Sequence, residues 1–266
     1  MSPIFIAGPC VIESQDCLNE VAQELARIRD IYNVEVYFKA SFDKANRTSI
    51  TSYRGPGLER GLQMLADVKA AYALPLLTDV HEAWQAAPAA EVVDVLQIPA
   101  FLCRQTDLLV AAAKTGKTIN IKKAQFLSGQ DMQYPVQKVR ETWEKADVTM
   151  APSLQGGQGE GPLWLTERGT TFGYNNLVVD FRNIPDMLKI VPRVVMDCTH
   201  SVQRPGAAGG KTGGNREFVP AMALAAKAFG ANGYFFETHP DPEKALSDGP
   251  NMLYLRDLEG VIKSLL

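Results

Sequence analysis

The chain has 266 residues, and 46% of its side chains are hydrophobic, which suffices for the large core of an α/β barrel. Its net charge of −3 gives no general basic surface, so nucleic acid and membranes are not expected partners. No stretch reaches the apolar length of a membrane span and no signal-peptide pattern opens the chain, so we expect a cytoplasmic protein. Four cysteines (Cys10, Cys17, Cys103, Cys198) lack the tight spacing of a disulfide framework and are expected as reduced thiols.

Short apolar runs alternate with longer amphipathic stretches along the whole chain. The runs, predicted to be strands, are PIFIAG, VEVYFKA, LPLLTDV, VDVLQIPA, TINIKKA, PLWLTERG, RVVMDCTH and GYFFETH. Predicted helices between and after them are CLNEVAQELARIRDIY, LERGLQMLADVKAAYA, TDLLVAAAKTG, VQKVRETWEKA, REFVPAMALAAKAFG and DLEGVIKSLL. Strand then helix, eight times, is typical of a (β/α)8 TIM barrel. No linker interrupts the pattern, so we predict a single domain over residues 1–266.

One stretch is compositionally unlike the rest. APSLQGGQGEGP, residues 151–162, is rich in Gly, Gln, Ser and Pro, which predicts a loop. Because it leads into the sixth predicted strand, it is expected at the N-terminal face of the barrel, away from the catalytic face. We favour a tolerated insertion over a functional element.

Polar residues follow every predicted strand, and barrel active sites are built at these C-terminal strand ends. They are Cys10, Lys39, Lys44, Asp79, His81, Gln97, Lys122, Lys123, Glu167, Arg168, Asp197, His200, Glu237 and His239. A buried lysine is costly unless it meets an anion, so a site is favoured over a coincidence of polar loop residues.

Two loops carry groups that suit phosphate. The loop after the second strand, SFDKANRTSITSYRGPG, combines Lys44, Arg47 and Arg54 with hydroxyl donors that match phosphate oxygens. The loop after the seventh, RPGAAGGKTGGNREF, brings further cations but no nucleotide-binding fingerprint, so it suits either a phosphate cradle or a mobile lid. Together the cations exceed the need of one phosphate and indicate a pair of substrates with several negative charges.

Strands seven and eight neighbour strand one in a closed barrel, so His200, Glu237 and Asp248 are able to converge on Cys10. Sulfur, nitrogen and carboxylate oxygen form a workable ligand set for Zn²⁺, Fe²⁺ or Mn²⁺. His81 and His239 are alternative ligands. A hydrogen-bonded or catalytic His200 without metal, and a Cys10 that is only a buried apolar side chain, remain open.

Several motifs closely resemble one enzyme family, the 3-deoxy-D-manno-octulosonate 8-phosphate synthases. They are GPCVIES, FKASFDKANRTS, YRGPGLE, TDVHE, QIPAFLCRQTDL, NIKKAQF, ERGTTFGYNNLVVDFR, DCTHSVQRPG, GGNREF and FETHPDPEKALSDGPN. The resemblance spans nearly the whole chain. It implies a barrel fold and the condensation of phosphoenolpyruvate with D-arabinose 5-phosphate, with release of phosphate, on the route to the lipopolysaccharide sugar Kdo.

The resemblance also implies roles for individual residues. Cysteine in the first motif marks the metal-dependent class, with Cys10, His200, Glu237 and Asp248 as ligands. Phosphoenolpyruvate contacts are implied for Lys44, Gln97, Lys122 and Arg168. Contacts to arabinose 5-phosphate are implied for Lys39, Asn46, Arg47, Thr48 and, from a neighbouring subunit, Arg104. A homotetramer is implied.

Two departures from the family and two alternatives stand beside this interpretation. The 151–162 stretch is longer than the family pattern, and Cys198 replaces a smaller residue, for which we favour an inert role.

Asp79 and His81 are the candidate proton carriers. The alternatives are the erythrose 4-phosphate condensation of the 3-deoxy-D-arabino-heptulosonate 7-phosphate synthases and a phosphosugar-binding barrel without catalysis.

Overall fold

Eight parallel strands close into a barrel in the computed structural model, which describes residues 2–47, 49–146, 163–173, 175–208 and 211–266. The strands, here called barrel strands one to eight, are Ile4–Gly8, Glu35–Lys39, Leu76–Asp79, Val95–Ile98, Thr118–Lys122, Leu163–Glu167, Arg193–Asp197 and Gly233–His239. Each pairs with the next, and strand one pairs with strand eight, Ile4 opposite Gly233. The predicted strands and barrel are confirmed. Thr48 and the glycine-rich stretch 151–162 lie outside the described residues.

Eight helices surround the barrel in the described part of the chain. They are α1 Gln15–Tyr32, α2 Leu58–Tyr72, α3 Ala86–Val92, α4 Thr106–Lys114, α5 Gln133–Ala146, α6 Asn183–Leu188, α7 Val219–Ala228 and α8 Leu255–Leu265. The Ser14 side chain caps α1 by accepting the backbone N–H of Cys17, and Asn33 ends that helix in the left-handed conformation. All six predicted helices form, whereas the short α3 and α6 were not predicted. In the described ranges, no helix has the length and apolar character that crossing a membrane requires.

Two apolar layers follow from the alternation of side chains along each strand. Inside the barrel lies a small cluster with members such as Ile6, Leu77, Trp164 and Phe235. Outside it, the larger cluster fills the space between strands and helices. Continuing the inward register by two residues leads from Leu77 to Asp79 and from Phe235 to Glu237, so the inner face turns polar at its C-terminal end.

The loop after barrel strand seven contains a hairpin that the sequence did not predict. Gln203–Ala208 and Lys211–Gly214 pair as antiparallel strands, and a phosphate cradle and a mobile lid both remain predictions. Glycine carries no side chain to show the alternation by which a strand is recognised, so this hairpin left no pattern. A second short pair joins Thr170–Thr171 to Leu177–Val178, and Leu253–Tyr254 adds to barrel strand eight.

Candidate active site

A polar layer crosses the C-terminal end of the barrel interior. The Gln97 amide donates to Asp79 at 2.7 Å, the Asn120 amide donates to Gln97 at 2.9 Å, and the Thr166 hydroxyl donates to Asn120 at 2.7 Å. Ser41 donates to the other oxygen of Asp79. These side chains come from neighbouring strands at one level, so the layer forms a rigid floor beneath the strand ends.

Cys10 reaches this end of the barrel because the backbone passes unusually close to the second strand at Gly8. A Cβ on Gly8 would lie 1.9 Å from the carbonyl oxygen of Lys39, so only glycine fits. Cys10 is 1% exposed, and its thiol lies 3.1 Å from the Ser247 hydroxyl and 3.4 Å from an Asp248 carboxylate oxygen. Burial and the charge of Glu237 raise the pKa of the Cys10 thiol well above its ordinary value.

His200 faces two carboxylates with one ring nitrogen and is held by a third through the other. Its Nδ1 lies 2.7 Å from Asp197 Oδ2, and its Nε2 lies 3.4 Å from Glu237 Oε2 and 3.6 Å from Asp248 Oδ2. Burial lowers the pKa of His200, but the Asp197 and Glu237 charges outweigh it and the net shift is upward. Asp197 therefore orients the ring so that Nε2 points at the acidic pair.

These residues fit a transition metal ion. One ligand atom each of Cys10, Glu237 and Asp248 lie within 4.8 Å of one another, and His200 Nε2 borders the same carboxylates. Glu237 Oε2 is buried without a hydrogen-bond partner, as an oxygen reserved for a cation would be. Asp248 has φ of +50°, a left-handed conformation that Asp tolerates and that is common at ligand clamps. Mixed sulfur, nitrogen and oxygen donors suit Zn²⁺, Fe²⁺ or Mn²⁺.

Lysines surround the acidic group. Lys39 Nζ donates to Glu237 Oε1 at 2.6 Å and to the Cys10 carbonyl at 2.9 Å, and Lys44 Nζ lies 3.7 Å from the same Glu237 oxygen. Burial raises the pKa of Glu237, but the charges of His200, Lys39 and Lys44 outweigh burial and lower that pKa to about 2. Lys122 Nζ donates to Asp197 at 2.7 Å and lies 4.2 Å from the centre of the Phe235 ring. The carboxylates are therefore ionised and balanced by cations.

Arg168 projects a partly unpaired guanidinium into the space above the floor. One nitrogen donates to Gln203 at 2.8 Å, and the other terminal nitrogen is buried with no hydrogen-bond partner. Burial lowers the pKa of Arg168, although an arginine stays charged in proteins. A buried cation with free donors is suited to bind an anion.

A cavity of about 1500 Å³ opens at this end of the barrel. Nine predicted site residues line it: Lys44, Asn46, Arg47, Asp79, His81, Lys122, Arg168, His200 and Asp248. The predicted ligands Cys10 and Glu237 lie beneath its wall, as do Lys39 and Gln97, whose side chains bond within the protein. Arg47 lies at the rim, where its guanidinium donates to Ser247 at 2.7 Å and to the Leu246 carbonyl at 3.1 Å.

Some predicted residues lie elsewhere. Arg104 is exposed on the turn before α4 and does not line this cavity. His239, an alternative metal ligand, faces Glu13 at 3.6 Å and accepts the backbone N–H of Asp241. The four cysteines are free, and Cys198 lies in the outer apolar layer, where its thiol lies 3.5 Å from the Met196 carbonyl oxygen.

Asp79 and His81 differ in the state that their surroundings favour. Burial raises the pKa of Asp79, but Lys39, Lys44 and Lys122 outweigh it and hold that pKa far below the usual range. Burial lowers the pKa of His81 more than nearby carboxylates raise it, and its Nδ1 is buried without a hydrogen-bond partner. Near neutral pH, Asp79 is ionised and His81 is neutral.

Sequence reasoning missed Ser41, Asn120 and Ser247. Asn120 was detectable, because it lies in the inward register two residues before Lys122 on barrel strand five. Ser41 and Ser247 belong to loops, where no periodicity indicates direction; only the tertiary structure brings them to Asp79 and Cys10.

Comparison with known proteins finds relatives that match almost the whole chain. Proteins named 2-dehydro-3-deoxyphosphooctonate aldolase are similar over almost the whole chain. The protein of Campylobacter jejuni (strain RM1221) is 55% identical over 263 residues, 99% of this chain and 95% of that one. That of Wolinella succinogenes is 52% identical over 263 residues, covering 99% and 98%. That of Fusobacterium nucleatum is 53% identical over 260 residues, covering 98% and 88%.

A family model covers the same extent of the chain. It describes the DAHP synthetase I family and matches residues 2–265, which include the barrel and every residue of the site. With this match and relatives above half identity, the chain belongs to the DAHP synthetase I family.

Proposed function

We propose that this protein is a 2-dehydro-3-deoxyphosphooctonate aldolase that condenses phosphoenolpyruvate, D-arabinose 5-phosphate and water to 3-deoxy-D-manno-octulosonate 8-phosphate and phosphate. It is an enzyme of Kdo synthesis, a transferase that acts in the cytoplasm. The observation that carries the proposal is one cavity with Lys44, Lys122 and Arg168 near its floor and Arg47 at its rim. Two anionic substrates need two such cationic regions.

Phosphoenolpyruvate lies on the floor, held by Lys44, Lys122 and Arg168. The buried Arg168 nitrogen without a partner gains an oxygen of the phosphate or carboxylate when this substrate binds. Gln97 fixes the floor through its hydrogen bonds with Asp79 and Asn120. These bonds leave one amide hydrogen of Gln97 for phosphoenolpyruvate. Held in this way beside the aldehyde, the enol carbon reacts as if at high effective concentration.

The sugar phosphate occupies the rim, with Asn46 and Arg47 from the loop after barrel strand two. Lys39 acts from beneath, by fixing Glu237 and the Cys10 carbonyl. Thr48, which lies outside the described residues, is a further proposed contact to the sugar phosphate. Arg104 serves the phosphate of a neighbouring subunit, which accounts for its position away from the cavity of its own chain.

Cys10, His200, Glu237 and Asp248 hold a divalent Zn²⁺, Fe²⁺ or Mn²⁺ ion, which supplies Lewis-acid polarisation and orientation when bound. Asp197 keeps His200 Nε2 directed at this site. Lys39 and Lys44 offset the negative charge of the ligand carboxylates, so the site does not repel anionic substrates.

The reaction forms a carbon–carbon bond between the enol carbon and the aldehyde carbon. Water adds to the neighbouring carbon, the aldehyde oxygen gains a proton, and cleavage of the carbon–oxygen bond to phosphate leaves the new ketone. His81 is the proton carrier, because its imidazole lines the cavity and its lowered pKa leaves the ring neutral and able to act as a base. Ionised Asp79 holds Gln97 and faces the lysines.

The assembly is proposed to be a homotetramer. Phe101 and Phe126, on the loops after barrel strands four and five, are 56% and 62% exposed. Phe101 precedes Arg104 by three positions, and large exposed apolar side chains support a contact between subunits at this rim. Residues 151–162, outside the described residues, remain in the proposal as a tolerated insertion.

The family description favours keeping one alternative, condensation with erythrose 4-phosphate. The experiment compares both aldoses. Chelator-stripped protein is given phosphoenolpyruvate and either sugar phosphate, with and without Mn²⁺ or Fe²⁺, and phosphate release is measured. Release that needs both arabinose 5-phosphate and metal is the expected result. Preference for erythrose 4-phosphate would select the alternative, and binding of both substrates without release would select a non-catalytic barrel. Full activity without metal would support the proposed reaction and contradict the proposed metal requirement.

A further inference from the structure

Lys123 is a buried charge for which the proposed reaction has no use. It follows Lys122, whose side chain points into the barrel toward Asp197, so Lys123 points to the opposite side of the strand. Its side chain is fully buried between the barrel and its surrounding loops. A lysine is retained in such a place only if its ammonium group is well bonded.

The Lys123 ammonium joins two loops. It donates to the carbonyls of Ala124 and Leu127, both at 3.1 Å, in the loop after barrel strand five. It also reaches the turn after barrel strand six, at 3.5 Å from the Gly169 carbonyl and 3.3 Å from the Thr170 hydroxyl. The two loops are therefore held together by one buried cation.

Glu167 completes the arrangement from barrel strand six. Its Oε1 lies 3.4 Å from Lys123 Nζ and accepts the backbone N–H groups of Arg168 at 2.9 Å and Gly169 at 2.6 Å. Gly169 has φ of +93°, so the chain turns sharply around this carboxylate. The backbone of Arg168 is thus fixed by a buried ion pair that lies outside the barrel.

The Arg168 side chain depends on that backbone for its direction. Its guanidinium makes one side-chain hydrogen bond, to Gln203, and a terminal nitrogen is left without a partner. A long side chain with so little support keeps its position only if its Cα and the turn around it are rigid.

We propose that the Lys123–Glu167 ion pair is a positioning device that aims Arg168 at the anionic groups of phosphoenolpyruvate. The inference rests on the proposed function, because it takes phosphoenolpyruvate as the ligand of Arg168. Neither Lys123 nor Glu167 touches substrate. They act through the turn, so their loss weakens one substrate's binding and spares the other's.

The test uses the variants Lys123→Met, Glu167→Gln and the combination of both in the metal-loaded enzyme. In Lys123→Met an unpaired carboxylate stays buried, and we expect the KM for phosphoenolpyruvate to rise at least about tenfold, with that for arabinose 5-phosphate within about twofold. In the double variant no charge is unpaired and the amide introduced by Glu167→Gln still offers a carbonyl oxygen to both N–H groups, so most of the loss is recovered.

Lys145→Met is the matched control, because Lys145 forms an exposed pair with Glu141 at 3.5 Å. It should leave both KM values unchanged. Equal rises in both KM values, or no rise in either, in Lys123→Met would overturn the proposal. If Lys123→Met alone does not fold, the double variant is compared with Glu167→Gln, and the same restriction to phosphoenolpyruvate is required.

A second measurement does not depend on turnover. Crystal structures of wild type and Lys123→Met, or of Glu167→Gln in its place, should differ in the position of the Arg168 guanidinium, and an unmoved guanidinium would overturn the proposal. Failure of the proposed function would instead show in wild type, as the absence of phosphate release that depends on arabinose 5-phosphate.

Discussion

At the residue scale, burial alone does not distinguish a functional cysteine from a structural one. Cys10, Cys103 and Cys198 are each no more than 1% exposed. Cys103 and Cys198 lie in the outer apolar layer, whereas Cys10 contacts the hydroxyl of Ser247 and the carboxylate of Asp248. Polar surroundings, rather than exposure, distinguish Cys10 and make it the candidate ligand among the three.

Replacing Cys10 with Asn should remove one soft ligand and weaken metal binding on the order of 100-fold. The reason is that the amide oxygen of asparagine is neutral, whereas a thiolate would bring a negative charge to the proposed cation site. Metal content after stripping and reloading, measured by mass spectrometry, checks this. Cys103→Ala is the control and should bind metal as wild type does. Equal metal content in Cys10→Asn and wild type would contradict the ligand assignment.

At the element scale, the position of Cys10 depends on how closely barrel strands one and two approach each other at their ends. Gly8 is paired with Glu237 on one side and lies against the Lys39 carbonyl on the other. The same stretch of backbone therefore connects Glu237, a proposed metal ligand, with the Lys39 that balances its charge and with the Cys10 thiol. A change here affects the barrel and the site together.

Gly8→Ala should destabilise the protein by about 3 kcal/mol or more, because the added Cβ meets backbone 1.9 Å away that no side-chain rotation relieves. Chemical denaturation of the metal-free protein measures the free energy of unfolding. Gly260→Ala in α8 is the matched control: its Cβ meets nothing within 4 Å, and the helix should gain about 0.5–1 kcal/mol. Equal stability of the two variants would refute the close approach.

At the scale of the whole molecule, the described surface exposes large apolar side chains near the mouth of the cavity. Phe101 and Phe126 lie at the C-terminal end of the barrel, on the same side as the cavity, and Arg104 follows on the same turn as Phe101. Covering such side chains with another subunit would remove them from water. Assembly and the second substrate site would then depend on the same loop.

Phe101→Asp should therefore shift the protein from a tetramer of the 29.1 kDa chain to smaller species, since a charge would be buried at the contact. Sedimentation velocity measures the distribution. Ile31→Asp is the control, because Ile31 is similarly exposed, at 57%, but lies near the end of α1. A wild-type monomer, or an unchanged tetramer in Phe101→Asp, would contradict the proposed contact.

Much of the site was predictable because a barrel places every strand's C-terminal end at one face. Once the eight strands were recognised, Lys44, Asp79, Lys122, Arg168 and His200 were expected near one another, and they line one cavity. The alternation of side chains also separates Lys122, inside the barrel, from Lys123, outside it. Side-chain alternation and the order of the strands can both be inferred from the sequence without atomic coordinates.

What the amino-acid sequence determined by itself was the barrel, the family likeness and the list of groups that carry chemistry. Only the tertiary structure decided which groups face the cavity, that Lys39 and Gln97 bond beneath it, and that Ser247 lies between Cys10 and Arg47. The physical reason is range. Strand and helix periodicity is local, whereas contacts such as that of Cys10 with Ser247 join residues 237 positions apart through loops that have no period.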